Sequence, residues 1–121
     1  MARFCSLYSS SSGNSTYIGS TKTAVLIDAG VSAKKLKEAL LGRDIDPSTL
    51  AGIFITHEHS DHINGMRILA STYKIPVYAT EGTLSFLEEN GKVTNKFPYE
   101  VIPYDGMQVG DIFIKPFRTP H

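Results

Sequence analysis

Thr56-His57-Glu58-His59-Ser60-Asp61-His62 sets three imidazoles and two carboxylates in one short stretch, directly after the apolar run Ile53-Phe54-Ile55. Imidazole nitrogen and carboxylate oxygen are the donors preferred by divalent ions such as Zn²⁺, Mn²⁺ and Fe²⁺. On an extended segment His57 and His59 point the same way and Glu58 the other, so the two histidines pair while Glu58 packs or hydrogen-bonds behind them. A turn after His59 brings Asp61 and His62 round as a second pair of donors. The spacing therefore favours two adjacent ion sites over one. A solvated histidine loop is the bland alternative, and the clustering of His57, His59, Asp61 and His62 behind a strand weighs against it. A closed structural zinc site is the other. Such sites are generally cysteine-rich, and the only cysteine here is Cys5.

The block His57-x-His59-x-Asp61-His62 resembles the H-x-H-x-D-H signature of the metallo-β-lactamase superfamily, and Leu26-Ile27-Asp28-Ala29-Gly30 resembles the strand-end aspartate motif that precedes it. The opening, Phe4-Cys5-Ser6-Leu7 followed by the stretch from Ser9 through Gly13-Asn14-Ser15 to Ile18, is similar to the YycJ/WalJ branch. That branch is associated with nucleic acid processing, including 5′ to 3′ exonuclease action on DNA. Phe117-Arg118-Thr119-Pro120-His121 matches the superfamily's third motif, a histidine after a strand, at the last residue.

The resemblance implies an α+β fold, the metallo-β-lactamase-like αββα sandwich. About the first half of it is supplied here, one sheet with its flanking helices, as the N-terminal part of a single domain over residues 1–121 that stops after the third metal motif. It also implies a ligand set: His57, His59 and His121 for a first ion, Asp61 and His62 for a second. Asp61 would in addition orient the attacking water or move its proton. The ions would be zinc or manganese, with iron possible. Held about 3.5–4 Å apart, two such ions lower the pKa of a shared water to give a hydroxide nucleophile and stabilise charge on a phosphoryl or acyl oxygen. A later bridging aspartate and final histidine of the family have no counterpart here, so a C-terminal half or a second chain is expected to complete the site.

Three functions fit: a phosphodiesterase or exonuclease acting on DNA or RNA, an acyl or thioester hydrolase of glyoxalase II type, and a catalytically inactive metal-binding fragment. A nucleic acid substrate is the leading partner. Twelve basic residues balance twelve acidic ones, so the chain lacks the electrostatic footprint of tight, metal-independent nucleic acid binding. Bound divalent ions would supply positive charge locally. No apolar run is long enough to cross a bilayer and no basic-then-apolar leader is seen; with 41% hydrophobic and 20% charged residues, a cytoplasmic enzyme with no membrane partner is expected.

The elements that must position the donors follow from pattern. Apolar segments around Phe4–Leu7 and Thr16–Ile18 read as a hairpin whose loop is the serine run with Gly13 and Asn14, residues suited to positive φ. Ser12, Asn14 and Ser15 could face the metal site and contact substrate phosphate through hydroxyls and backbone N–H groups. Ala24 to Ile27 is continuously apolar, a strand buried on both faces. Asp28 at its end either forms a turn or orients a ligating histidine through its second ring nitrogen; its place in the resembling motif favours the latter. Ser32 caps a helix carrying Ala33, Leu36, Ala39 and Leu40 on one face and stopping at Gly42. A second helix, with Ile63, Met66, Ile68, Leu69 and Tyr73, grows out of the metal loop from Asp61. Val77-Tyr78-Ala79 reads as a strand and Glu81 to Asn90 as a helix. Tyr99–Pro103 and Asp111–Phe117 read as strands around a turn at Tyr104-Asp105-Gly106, with a second corner at Val109-Gly110, the last strand delivering His121. One sheet face, lacking its partner, should remain an exposed apolar patch.

Overall fold

The computed structural model describes residues 3–10, 13–56, 63 and 65–115. Six strands form one sheet in the order β1-β2-β3-β4-β5-β6: Arg3–Ser10, Gly13–Gly19, Ala24–Ile27, Gly52–Ile55, Val77–Ala79 and Tyr99–Val101. β1, β2 and β3 run antiparallel, and β3 through β6 run parallel. A parallel pair needs a crossover, and each is a helix: α1 (Ala33–Leu41), α2 (Met66–Tyr73) and α3 (Glu81–Glu89). Because every crossover steps to the next strand in the same direction, the usual right-handed connection lays all three helices on one face.

The core is built accordingly. Leu36 and Leu40 of α1, Met66, Leu69 and Ala70 of α2 and Leu84 and Leu87 of α3 pack against Leu26, Ile53, Ile55, Val77 and Ala79 of the strands. Each buried leucine or isoleucine contributes roughly 1.5–3 kcal/mol. The alternate residues, Val25 and Phe54, are buried on the opposite face, so β3 and β4 are apolar on both sides as their unbroken sequence predicts. Phe54 stacks on Tyr78 with ring centroids 4.9 Å apart. Burial there, with the nearby Glu100 carboxylate, pushes the Tyr78 hydroxyl pKa up.

Several expected boundaries shift. The serine run is mostly strand: Ser9 pairs with Asn14 and Ser10 with Gly13, leaving only residues 11 and 12 between β1 and β2. The register slips between Ser6 and Tyr8, so that Leu7 is the extra residue of a β-bulge. Ser32 accepts from the Lys35 N–H and caps α1 as expected. Gly42 does follow the helix, but in a right-handed conformation; the left-handed residue is Asp44, at φ 58°. In α2, Met66, Leu69 and Ala70 are buried and Ile68 is exposed. α3 ends at Glu89, with Asn90 capping it and Gly91 left-handed.

The C-terminal reading needs most correction. Tyr99–Val101 does not pair with the last strand; it closes the large sheet as β6, parallel to β5. The hairpin is instead β7 (Met107–Val109) with β8 (Ile112–Ile114), turning at Gly110. This small second sheet lies over the helix-free face, where Val109, Met107, Ile112 and Ile114 meet Val25, Phe54 and Ile102. The apolar face is therefore partly covered, and the large apolar side chains left exposed near the C-terminal end of the described chain are Val101 at 45%, Phe113 at 57% and Tyr104 at 76%. The hairpin is tied down by its turn. Asp111 accepts from the Ser20 hydroxyl at 2.5 Å, and the Asp111 N–H donates to the Thr23 hydroxyl at 3.4 Å. The Ser20 bond, with help from Thr23, holds the Asp111 carboxyl below the usual carboxylate range. Among the described residues no helix is long and apolar enough to cross a membrane.

Candidate metal centre and its supports

Ligands of open parallel sheets bind outside the carboxyl ends of the strands. Here the carboxyl ends of β3 and β4 lie side by side, Ile27 paired with Phe54, and deliver Asp28 and Thr56 to the same edge. The histidine block begins at the next residue. His57, Glu58, His59, Asp61, His62 and His121 lie outside the described residues, as does Ser12. Among the described residues no group of histidine, cysteine, aspartate and glutamate forms a metal site. What the structure does give is how Thr56 and Gly65, on either side of the block in sequence, are held.

The entry is held by Asp28. Its Oδ1 accepts the Thr56 backbone N–H at 2.8 Å and its Oδ2 accepts the Thr56 hydroxyl at 2.7 Å. Two bonds to the two oxygens of one carboxylate fix both position and direction, and charge-assisted bonds are the strong ones. Asp28 is only 6% exposed and left-handed, at φ 64°. A residue with a side chain pays for that conformation, though aspartate tolerates it better than most. The turn expected of Asp28 is present, and its carboxylate is aimed at Thr56, at the end of β4. The histidine that the other expected role would orient lies outside the described residues.

The exit is held by the continuation of the same turn. The Gly65 N–H donates to the Ala29 carbonyl at 2.7 Å, and a Cβ on Gly65 would come within 2.2 Å of the Val31 carbonyl oxygen. Only glycine allows that approach. Thr56 and Gly65, the described residues before and after the block, are therefore both held by the single turn Asp28–Val31, and α2 begins at Met66.

Of the expected substrate contacts, Asn14 lies within β2, opposite Ser9. Ser15 is buried, 1% exposed, and its hydroxyl donates to the Asp28 carbonyl at 2.9 Å. That proton is committed inside the protein, which corrects the expectation that the Ser15 hydroxyl contacts substrate. Thr56 and Gly65 carry supporting roles that pattern reading did not assign. The signals were present: a hydroxyl residue at a buried strand end opposite a strand-end aspartate, and a glycine at the start of an apolar helix, where a capping side chain is the norm.

Comparison with known proteins agrees with this architecture. The chain is 37% identical over 121 residues to an exodeoxyribonuclease YycJ of Bacillus anthracis, covering 98% of this chain and 45% of that protein. It is 40% identical over 124 residues to a ribonuclease J of Helicobacter pylori, covering 90% of this chain and 18% of that one. The chain thus spans under half the length of these relatives. Among solved structures, the MIM-2 metallo-beta-lactamase superposes with a TM-score of 0.72 at 21% identity, over 90% of this chain and 46% of that one. Residues 10–120 match the metallo-beta-lactamase superfamily as a whole. The chain belongs to the metallo-beta-lactamase superfamily, and its strand-end aspartate and Thr56, which precedes the histidine block in sequence, lie at the ends of adjacent parallel strands.

Proposed function

We propose that this chain is the N-terminal part of a metal-dependent phosphodiesterase that acts on DNA as an exonuclease, with RNA as the related substrate. The observation that carries the reading is the 37% identity to an exodeoxyribonuclease over 98% of the chain. The supports of the histidine block lend it physical sense, since catalytic donors must be held on rigid elements. The donor set, imidazoles and a carboxylate with a single cysteine in the chain, fits zinc or manganese, with iron possible.

In this reading His57, His59 and His121 hold one divalent ion and Asp61 and His62 a second. Such ions supply Lewis acidity toward a phosphoryl oxygen and a water acidic enough to ionise near neutral pH. The protein's own work is positional. Asp28 and Thr56 set where the block leaves β4, Gly65 and Ala29 set where it enters α2, and Asp61 orients the attacking water or takes its proton. The chain carries equal numbers of basic and acidic residues, so the substrate's phosphates are drawn by the metal centre rather than by a basic surface. The remaining donors come from sequence beyond residue 121 or from a second chain. A cytoplasmic setting goes with a nucleic acid substrate and with a chain whose single cysteine can form no internal disulfide.

A nuclease assay on 5′-labelled DNA in Mn²⁺ and in Zn²⁺, run on the protein with its donor set completed, tests the reading. Metal-dependent release of nucleotides from the 5′ end is expected, falling by about a hundredfold or more in Asp61→Asn. Hydrolysis of a thioester substrate with DNA left intact would replace the nuclease reading by the acyl hydrolase one.

A further inference from the structure

Ser15 does more than satisfy itself. The β2–β3 ladder stops at Thr16 opposite Ile27, so a continued register would set Ser15 against Asp28. There the chain turns left-handed, and the Ser15 hydroxyl bonds the Asp28 carbonyl at 2.9 Å from a site only 1% exposed. On the other side of the same residue, the Asp28 N–H donates to the Phe54 carbonyl at 2.8 Å. The peptide groups flanking the strained φ are thus held by β4 at one end and by Ser15 at the other. Ser15 itself is fixed by pairing with Tyr8, just past the bulge at Leu7. Bulges re-aim residues beside functional sites.

Resting on the metal-centre reading above, we propose that Ser15 is a positioning residue. Its buried hydroxyl holds the Asp28 turn, so that both carboxylate oxygens meet Thr56 and fix the entry to the histidine block. A residue that merely filled its own buried hydrogen bond would lower stability when removed, without acting specifically through Asp28.

Two variants, Ser15→Ala and the near-isosteric Ser15→Cys, separate these roles. In the metal-free chain, hydrogen exchange of the Thr56 amide is expected to speed up by about tenfold in either variant. The Ile53 amide, which donates to the Pro76 carbonyl at the other end of β4, should stay at its wild-type rate. Zn²⁺ affinity, read by competition with a chromophoric chelator, should fall by about tenfold, the scale of losses seen when a residue supporting metal ligands is removed. That loss should vanish in an Asp28→Gly background, where glycine adopts the turn freely and no carboxylate remains to be aimed. Ser15→Thr, which keeps the donor, should restore both readouts. Wild-type Thr56 exchange in the Ala and Cys variants, or an equal affinity loss with and without the Asp28 side chain, would overturn the proposal. If the wild-type chain binds no Zn²⁺, the metal reading fails, and Thr56 exchange still decides whether Ser15 holds the turn.

Discussion

At the scale of single residues, the contacts described beside the histidine block in sequence are hydrogen bonds between Thr56 and Asp28 and the close approach of Gly65 to Val31. Thr56 gives Asp28 two hydrogen bonds, through its N–H and its hydroxyl. Thr56→Val keeps the first and removes the second, leaving Oδ2 without that donor. A loss of about 1–2 kcal/mol in denaturant unfolding is expected, as for a bond to a charged group at a partly buried position. Gly65→Ala should be worse, because its Cβ would press on the backbone oxygen of Val31 at 2.2 Å, which cannot swing aside. About 3 kcal/mol or more of destabilisation is expected. Gly82, by contrast, lies in α3 with nothing within 4 Å of its would-be Cβ, so Gly82→Ala should be neutral or gain about 0.5 kcal/mol in the same measurement. Residue types and spacing made the donors legible in the sequence. The clamp on Thr56 was not, because it is a contact between residues 28 positions apart that only the pairing of β3 with β4 creates.

At the scale of elements, pattern worked where burial was two-sided or periodic and failed where turns chose between partners. β3 and β4 were readable from unbroken apolar runs, and α1 from its cap and its Leu36/Leu40 spacing. The β7–β8 hairpin was misread because Tyr104-Asp105-Gly106 and Val109-Gly110 are both good turn sequences, and local chemistry does not say which one reverses a ladder. What decides it is tertiary: Gly110 at φ 58° packs against Thr23, and Asp111 binds Ser20. That latch carries a pH dependence with a definite sign. Hydrogen bonds from Ser20 and then Thr23 favour the charged carboxylate and lower its folded pKa. The latch therefore contributes fully above the unfolded carboxylate value near about 3.9 and is lost as pH falls through the lower folded value. Wild type should melt above Asp111→Ala at pH 6, and the gap should narrow as the pH falls below the unfolded carboxylate value of about 3.9. A gap that is constant across that range would show that the carboxylate charge plays no part.

At the scale of the whole molecule, the described residues form a six-stranded sheet covered by helices on one face and a two-stranded second sheet on the other, in a chain spanning 45% of its exodeoxyribonuclease relative. The αββα expectation is borne out in its first two layers. The expected bare sheet face is not, because β7 and β8 already cover its middle. The exposed side chains of Val101, Tyr104 and Phe113 should still promote association. The weight-average sedimentation coefficient should rise with concentration, and less so in Phe113→Ser; identical, concentration-independent values would count against it. The central claim, that the segment gripped at both ends by the Asp28–Val31 turn holds metal, is tested most directly by elemental analysis of the chain purified without added metal, beside His57→Ala. Bound zinc or manganese in the wild type and its loss in the variant are the expected result. A metal-free wild type, or full metal content in His57→Ala, would contradict the claim.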